Sequence, residues 1–184
     1  IVDVTDRVTG AGAGRIVVIA ALALFVALQP DTFRIERRMI VDAQPRDVFA
    51  QVNDFRKWDD WSPWAKLDPD AKVAFEGPRA GPGAVFKWAG NDKIGQGSMT
   101  LVESKPGELV RVNVEFVKPF EGKSTSEFTF RPQGDRTQVT WTSSGPMTFL
   151  SKAMCLIMNM EKVLGPDMEK GLVQMKAAAE GRRS

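Results

Sequence analysis

Several residue types that carry enzyme chemistry are missing or scarce in this sequence. It has no histidine and no tyrosine among its 184 residues, and Cys155 is its single cysteine. The lack of histidine excludes Ser-His and Cys-His nucleophilic pairs, histidine general bases and the usual zinc sites. A lone cysteine within an apolar helical run favours packing over reactivity. Any catalysis would therefore use carboxylates, lysines, arginines or hydroxyls, and we expect no metal and no cofactor.

An excess of one charge sign is also missing. The chain has 25 basic and 23 acidic residues, and the basic residues do not form one block. Nucleic acid is therefore not an expected partner, because binding to the phosphate backbone requires clustered lysine and arginine. The length suits one domain with an appendage, and about 150 folded residues can bury a core without disulfides or metals.

The amino end has an apolar run that is short for a membrane span. Ile16–Leu28 contains thirteen uncharged apolar residues after Arg15, whereas roughly 20 cross a bilayer. The run could be a secretory signal core, a single membrane anchor or a buried helix. We favour the anchor, because apolar residues continue beyond Ala23, where a signal peptide could be cleaved. This divides the chain into a tail with an anchor helix, 1–30, and a folded domain, 31–184.

Alternation of apolar and polar residues predicts a sheet over most of the region 31–146. Phe33 to Val41 form the first strand, with Arg37 as the odd member of its apolar face. A helix begins at Pro45, and six further strands follow through short Gly- and Pro-rich turns. Short connections indicate antiparallel pairing, so the sequence predicts a curved antiparallel sheet of about seven strands.

The carboxyl end, from Thr148 to Ala179, has apolar residues at helical spacing. Gly165-Pro166 is expected to divide it into two helices, because glycine ends helices and proline starts them. The first helix is apolar nearly all round, so we expect its outer side, with Met158 and Met160, to meet a membrane, a partner or a lid. Sheet and helices together predict an α+β domain in which the sheet wraps on the C-terminal helices.

Three of the five tryptophans lie close together, at Trp58, Trp61 and Trp64. Their spacing by three, with Pro63 between them, predicts a short helical turn followed by a loop. This segment could be an aromatic mini-core under a loop, or it could form the lid and entrance of a ligand site. Both interpretations remain open from the sequence.

The order of these elements, a strand, short helices, six antiparallel strands and a C-terminal helix, is that of the helix-grip fold. It is accompanied by the motifs Asn53-Asp54-Phe55, Trp-Ser-Pro-Trp at 61–64, Lys118-Pro119-Phe120 and Val139-Thr140-Trp141. With these features the chain resembles the SRPBCC superfamily of START-like proteins. Within it, the chain is most similar to the bacterial branch of polyketide cyclases, dehydrases and lipid-transport proteins, whose members often carry an N-terminal membrane helix. The resemblance covers about 31–180 and implies a cavity between the sheet and the C-terminal helix, without supplying a catalytic set.

The inward rows of the predicted sheet give this cavity a mostly apolar wall, which is typical of a site for a lipid or polycyclic ligand. The expected wall residues are Phe75, Phe86, Trp88, Met99, Leu101, Val112, Val114, Phe116, Phe128, Phe130, Val139 and Trp141 on the sheet and Met168, Leu172 and Met175 on the last helix. The polar members of the same rows are Arg37, Glu103, Ser126 and Ser143. Arg37 could bind an anionic head group or lie at the rim beside Glu103.

Three functions fit this sequence. The first is a membrane-anchored module that binds a lipid, quinone or polyketide-like molecule without a reaction. The second is an accessory subunit that docks onto a larger membrane complex. The third is a cyclase or dehydratase in which Glu103 acts as general base and Arg37 polarises a carbonyl. Under the first, Ile16–Leu28 would hold the protein in a bacterial plasma membrane as a single-pass anchor. Basic residues both precede and follow the run, so both orientations stay open, and we favour a globular domain on the periplasmic side.

Overall fold

The computed structural model describes residues 5–157 and 159–181, with side chains from residue 14 onward except that of Ile157. The described elements, in chain order, are α1 Thr5–Ala27, β1 Thr32–Val41, α2 Pro45–Val52, a 3-10 turn Phe55–Lys57, α3 Trp58–Trp61, β2 Lys72–Glu76, β3 Val85–Ala89, β4 Gln96–Lys105, β5 Leu109–Lys118, β6 Gly122–Gln133, β7 Arg136–Pro146, α4 Phe149–Ile157 and α5 Met160–Ala179. The α+β prediction is confirmed.

The seven strands form one antiparallel sheet in the order β1-β7-β6-β5-β4-β3-β2. Six of them follow the chain from neighbour to neighbour, as short turns dictate. β1 instead returns to pair with β7, where Arg37 lies opposite Trp141. The sheet curves so that one face is concave, and the apolar side chains of β5, β6 and β7 point out of this concave face. The predicted seven-stranded curved sheet is therefore confirmed.

A β-bulge in β4 changes which residues face inward. Leu101 pairs with Val112, whereas Glu103 pairs with Arg111, so that β4 advances by two residues while β5 advances by one. The extra residue, Val102, is exposed, and beyond it the alternation of faces is reversed. The expectation that Glu103 continues the inward row of Met99 and Leu101 was therefore wrong, because the bulge turns Glu103 to the convex face.

The core is solid where α2, α3 and the C-terminal half of α5 cover the sheet. Trp61 on α3 is fully buried, and its indole nitrogen donates to the Gln51 carbonyl at 3.0 Å. Its ring packs edge-on against Phe128 with centroids 6.0 Å apart. Val48 and Val52 of α2 are likewise fully buried. This part of the molecule is filled by side chains, as an ordinary domain core is.

The C-terminal helices do not divide where the sequence predicts. α5 runs from Met160 to Ala179 through Pro166, so the predicted break at Gly165-Pro166 was wrong. Asn159 begins α5 instead, because its side chain accepts a hydrogen bond from the Glu161 amide at 2.9 Å. Thr148 caps α4 in the same way through the Ser151 amide, as predicted. Met158, named above with Met160, lies outside the described residues.

Helix α1 packs on the body of the domain mainly through α4. Val26 of α1 is buried, and Lys152 of α4 reaches the Asp31 carboxylate at 2.5 Å and the Ala27 carbonyl at 3.4 Å. The other large apolar side chains of 16–28 are exposed. None of the helices in the part of the chain described here is long and apolar enough to cross a membrane.

Candidate functional site

A cavity of about 1200 Å³ lies between the concave face and the segment that runs from the end of β7 through α4 into the first half of α5. All seven strands contribute to its floor and one side, β1 through Phe33, and α3 closes it toward the solid core. The interior of the domain is thus divided into a filled part and a hollow part. We call these the core half and the cavity half.

The cavity wall overlaps the predicted one in part. Eight of the fifteen expected residues line the cavity: Phe75, Phe86, Trp88, Met99, Val114, Phe116, Trp141 and Met168. The other seven pack in the core half and are at most 2% exposed: Leu101, Val112, Phe128, Phe130, Val139, Leu172 and Met175. The alternation identified the correct face of each strand. At one end of the sheet, however, α2, α3 and the end of α5 pack directly on the inward-facing side chains and leave no cavity there.

Aromatic rings follow one another along the β2 to β5 side of the cavity. The rings of Phe75 and Phe86 lie 5.3 Å apart, and Phe86 stacks on Trp88 at 6.0 Å. Phe116 meets Trp88 edge-on at 5.7 Å. Rings in such arrangements attract one another and offer flat, polarisable surfaces to a ligand. This side of the cavity suits a ring-bearing or otherwise apolar molecule.

The three clustered tryptophans separate the two halves of the interior. Trp61 belongs to the core half, which fits the mini-core interpretation. Trp58 and Trp64 line the cavity, and Trp64 meets Trp141 edge-on at 6.0 Å. Trp58 is itself only 7% exposed, and its indole nitrogen donates to the Val52 carbonyl at 2.9 Å. The segment therefore forms a fixed wall, and the structure does not place Trp61 at an entrance.

The two residues considered for catalysis are engaged elsewhere. Arg37 lies on the concave face, where its guanidinium binds Glu161 and Glu169 of α5, the latter at 2.7 Å. The hydrogen bond to Glu161 contributes most to raising the pKa of Arg37, and the hydrogen bond to Glu169 contributes next. Glu103 pairs with Arg111 on the convex face. Neither side chain lines the cavity, so the pairing of Glu103 with Arg37 as base and electrophile is not formed.

Among the residues that the structure describes, charged groups meet the cavity only along its rim. The ionisable lining residues other than Cys155 are all exposed: Arg56, Asp59, Lys93, Glu115, Glu121 and Lys123. Arg56 lies 4.6 Å above the Phe75 ring. The Lys123 ammonium binds Glu115 at 2.9 Å, which raises the pKa of Lys123. Across residues 5–157 and 159–181, no group of three His, Cys, Asp or Glu side chains is placed to hold a metal ion.

Helix α4 and the start of α5 form a wall that the sequence reasoning missed. Thr148, Ser151 and Cys155 line the cavity from α4 and its cap, and Met160 and Leu164 line it from α5. The spacings 148, 151, 155 and 160, 164, 168 each follow one helix face. This signal was available, but the predicted break at Gly165-Pro166 placed residues 148–164 on a separate helix, and the expected cavity wall was taken from the second helix alone.

The curved antiparallel sheet, closed by a C-terminal helix over an aromatic-lined cavity, defines a START-like protein of the helix-grip fold. The sequence agrees with this assignment. Residues 32–180 match the family model described as polyketide cyclase / dehydrase and lipid transport, and the chain belongs to this family. The resemblance drawn from the sequence motifs is thereby confirmed.

Solved structures with the same fold come from proteins of diverse description. Protein CV1439 from Chromobacterium violaceum is 17% identical, with a TM-score of 0.55 over 83% of this chain and 99% of that one. The Aha1 dimer from Colwellia psychrerythraea is 16% identical, with a TM-score of 0.58 over 80% and 96%. The di-domain ARO/CYC StfQ from the steffimycin biosynthetic pathway is 15% identical, with a TM-score of 0.58 over 82% and 51%. These likenesses show the fold alone. No curated protein sequence matches the chain.

Proposed function

We propose that this domain binds a hydrophobic small molecule of the lipid, quinone or polyketide-like class in its cavity, without carrying out a reaction on it. The observation that carries the proposal is the cavity of about 1200 Å³ with its aromatic side. Ligand sites are concave, largely apolar and provided with a few polar groups. The family description, which includes lipid transport, agrees with this class of ligand.

Binding is favoured over catalysis by where the charges lie. The ionisable rim residues are exposed, and water weakens general acid–base and electrostatic catalysis. Arg37 and Glu103, the groups on which a cyclase or dehydratase mechanism would depend, pair with other residues outside the cavity. The accessory-subunit alternative would need no ligand at all, so the contents of the cavity discriminate between it and the binding module.

Native mass spectrometry of the gently purified full-length protein tests the proposal. We expect a stoichiometric apolar ligand. Phe116→Arg, which places a charge on the cavity wall, should lower its occupancy, because a cation among apolar groups repels such a ligand. Asn113→Arg is the matched control, since it alters an exposed position of β5 outside the cavity. An empty wild-type cavity that also binds no added lipid or quinone would overturn the proposal.

We propose in addition that α1 and α4 hold the domain at a bacterial plasma membrane, with the domain on the periplasmic side. Eight apolar side chains of 16–28 are 54–75% exposed, and Phe149 and Leu150 on α4 are 56% and 60% exposed. Apolar surface of this extent is typical of a docking site. Because α4 also lines the cavity, an apolar ligand could pass between bilayer and cavity without crossing bulk water.

Flotation of the full-length protein with protein-free vesicles of phosphatidylethanolamine and phosphatidylglycerol tests this association. We expect wild-type protein to float and Leu22→Asp/Phe25→Asp to remain in solution, because charges oppose insertion. Val173→Asp on α5 is the control, since Val173 is equally exposed but lies on another helix. Flotation with native membranes and not with protein-free vesicles would instead support the accessory-subunit alternative.

A further inference from the structure

Two serines are the polar exceptions in the deepest part of the cavity. The lining residues that are buried are Phe55, Trp58, Val114, Ser126, Trp141, Ser143 and Met168. Ser126 is 7% exposed and Ser143 is 6% exposed. A buried hydroxyl in an apolar surrounding costs free energy unless it forms a hydrogen bond. The two hydroxyls face the cavity and are not shut off from it, so the polar character of this otherwise apolar part of the wall requires an explanation that packing does not give.

The sheet places these hydroxyls side by side. Ser126 of β6 and Ser143 of β7 are direct cross-strand partners, and both project into the cavity. Side chains paired in this way start about 5 Å apart. The Trp141 indole nitrogen donates to the Ser126 hydroxyl at 3.4 Å, which leaves the hydroxyl hydrogen of Ser126 free to donate. Within the described residues the Ser143 hydroxyl has no hydrogen-bond partner.

The surroundings of the pair select for an uncharged group. The charged lining residues lie on the exposed rim, so a carboxylate or phosphate at this depth would lose its hydration without meeting a counter-charge. Two hydroxyl donors can share one carbonyl oxygen, and a hydroxyl can also accept from an alcohol or phenol. Farther along the sheet, past β5 and β4, strand β3 presents Phe86 and Trp88 to the cavity. These rings suit the apolar body of a ligand whose polar end lies at the two serines.

We infer that Ser126 and Ser143, with the Trp141 indole beside them, form a subsite for an uncharged oxygen function, a carbonyl or a hydroxyl, at the inner end of an otherwise apolar ligand. The inference rests on the proposed function, since it assigns the polar end of a molecule that the cavity holds. It names the ligand class more closely: a neutral ketone, quinone, phenol or alcohol with an apolar, ring-bearing body, and not a fatty acid anion bound head-first.

Titration of the full-length protein with 1-acetylpyrene and with 1-ethylpyrene tests this subsite. The two probes share a shape and differ in one carbonyl, and Trp64, Trp88 and Trp141 in the cavity wall report binding by fluorescence quenching. We expect Ser126→Ala/Ser143→Ala to weaken 1-acetylpyrene binding about tenfold, as the loss of two neutral hydrogen bonds implies. Binding of 1-ethylpyrene should stay unchanged. Ser144→Ala, one residue along β7 and paired with Thr125 outside the cavity, is the matched control.

The outcomes separate this inference from the proposed function. If both probes bind and the double variant affects them equally, the subsite is refuted while the binding function stands. If neither probe binds to the wild-type protein, both fail. Should the double variant not fold, the infrared carbonyl stretch of 1-acetylpyrene bound to the wild type decides: a shift to lower wavenumber than in hexane supports the hydrogen bonds, and an unshifted band refutes them.

Discussion

Arg37 ties the first strand to the last helix. Its guanidinium binds Glu161, which lies one helical turn before Gly165, and Glu169, which lies one turn after it. The Arg37 side chain is 21% exposed. A planar fork with several donors suits such a double carboxylate contact better than an ammonium does. The residue that breaks the apolar pattern of β1 is therefore a structural clasp, and its charge is turned away from the cavity.

Replacement of Arg37 by methionine should lower stability and leave ligand binding intact. We expect the free energy of unfolding to fall by about 1 kcal/mol, because both glutamates are largely exposed and solvent screens the ion pairs. Urea denaturation measures this loss, with Arg34→Met as the control for an exposed pair on the same strand. A weaker affinity for the cavity ligand at unchanged stability would show that Arg37 binds a head group after all.

Glu103 provides the corresponding test of catalysis. Because it pairs with Arg111 on the convex face, Glu103→Gln should leave the identity and occupancy of the bound ligand unchanged. Stability should fall by less than about 1 kcal/mol, as for other exposed ion pairs. Native mass spectrometry and urea denaturation measure the two effects, and Glu127→Gln, which loses the same partner, is the control. Accumulation of a chemically different ligand in the variant would restore the enzyme hypothesis.

Helix α5 has a glycine and a proline next to each other in its interior, and the glycine is explained by what lies beneath it. A Cβ at position 165 would collide with the Arg37 guanidinium, so glycine allows the clasp to approach the helix backbone. Pro166 lacks the amide that would bond back to residue 162, a loss that ordinarily breaks helices. The helix nevertheless continues through Pro166, six residues after it begins at Met160.

The clasp makes the effect of Gly165→Ala depend on Arg37. In the wild type we expect the substitution to leave stability nearly unchanged, because the guanidinium must leave its place and the loss of its ion pairs offsets the gain in helix propensity. In an Arg37→Ala background it should stabilise by about 1 kcal/mol, the helix propensity of alanine over glycine. Urea denaturation of the four proteins measures this coupling. Gly171→Ala, whose Cβ would meet Trp141 and Pro63, should destabilise in both backgrounds, and additive effects at Gly165 would contradict the clasp.

Patterns within a strand were predictable, whereas contacts between elements were not. Alternation gave the inward faces of β5, β6 and β7 correctly, because period-two burial is local information. Val102 and Glu103 fit either face of β4, so nothing local reveals the bulge. The residue that packs against Gly165 of α5 is Arg37, more than a hundred residues away in the sequence. The cavity was predicted on the right face of the sheet, because that face follows from local alternation. Its extent was not predictable, because it is set by how far α2 and α3 fill the interior, which is a contact between distant elements.

Across the whole domain, stability and ligand binding should depend on different residues. Phe128 is fully buried in the core half, whereas Phe116 is 41% exposed at the cavity. We expect Phe128→Ala to cost about 3–5 kcal/mol of unfolding free energy and Phe116→Ala less than about 1 kcal/mol, because a large part of its ring already meets solvent. Conversely, Phe116→Ala should weaken ligand binding in the fluorescence titration. Equal stability losses for the two variants would contradict the division of the interior.

The division into a core half and a cavity half also affects which substitutions such a protein can accept during evolution. A lineage can replace the side chains that line the cavity without endangering folding, since the core half keeps the chain together. Drift at those positions then alters which molecule is accepted, one substitution at a time. An engineer can use the same freedom, by randomising the rings around Phe86 and Trp88 while leaving Trp61 and its neighbours untouched.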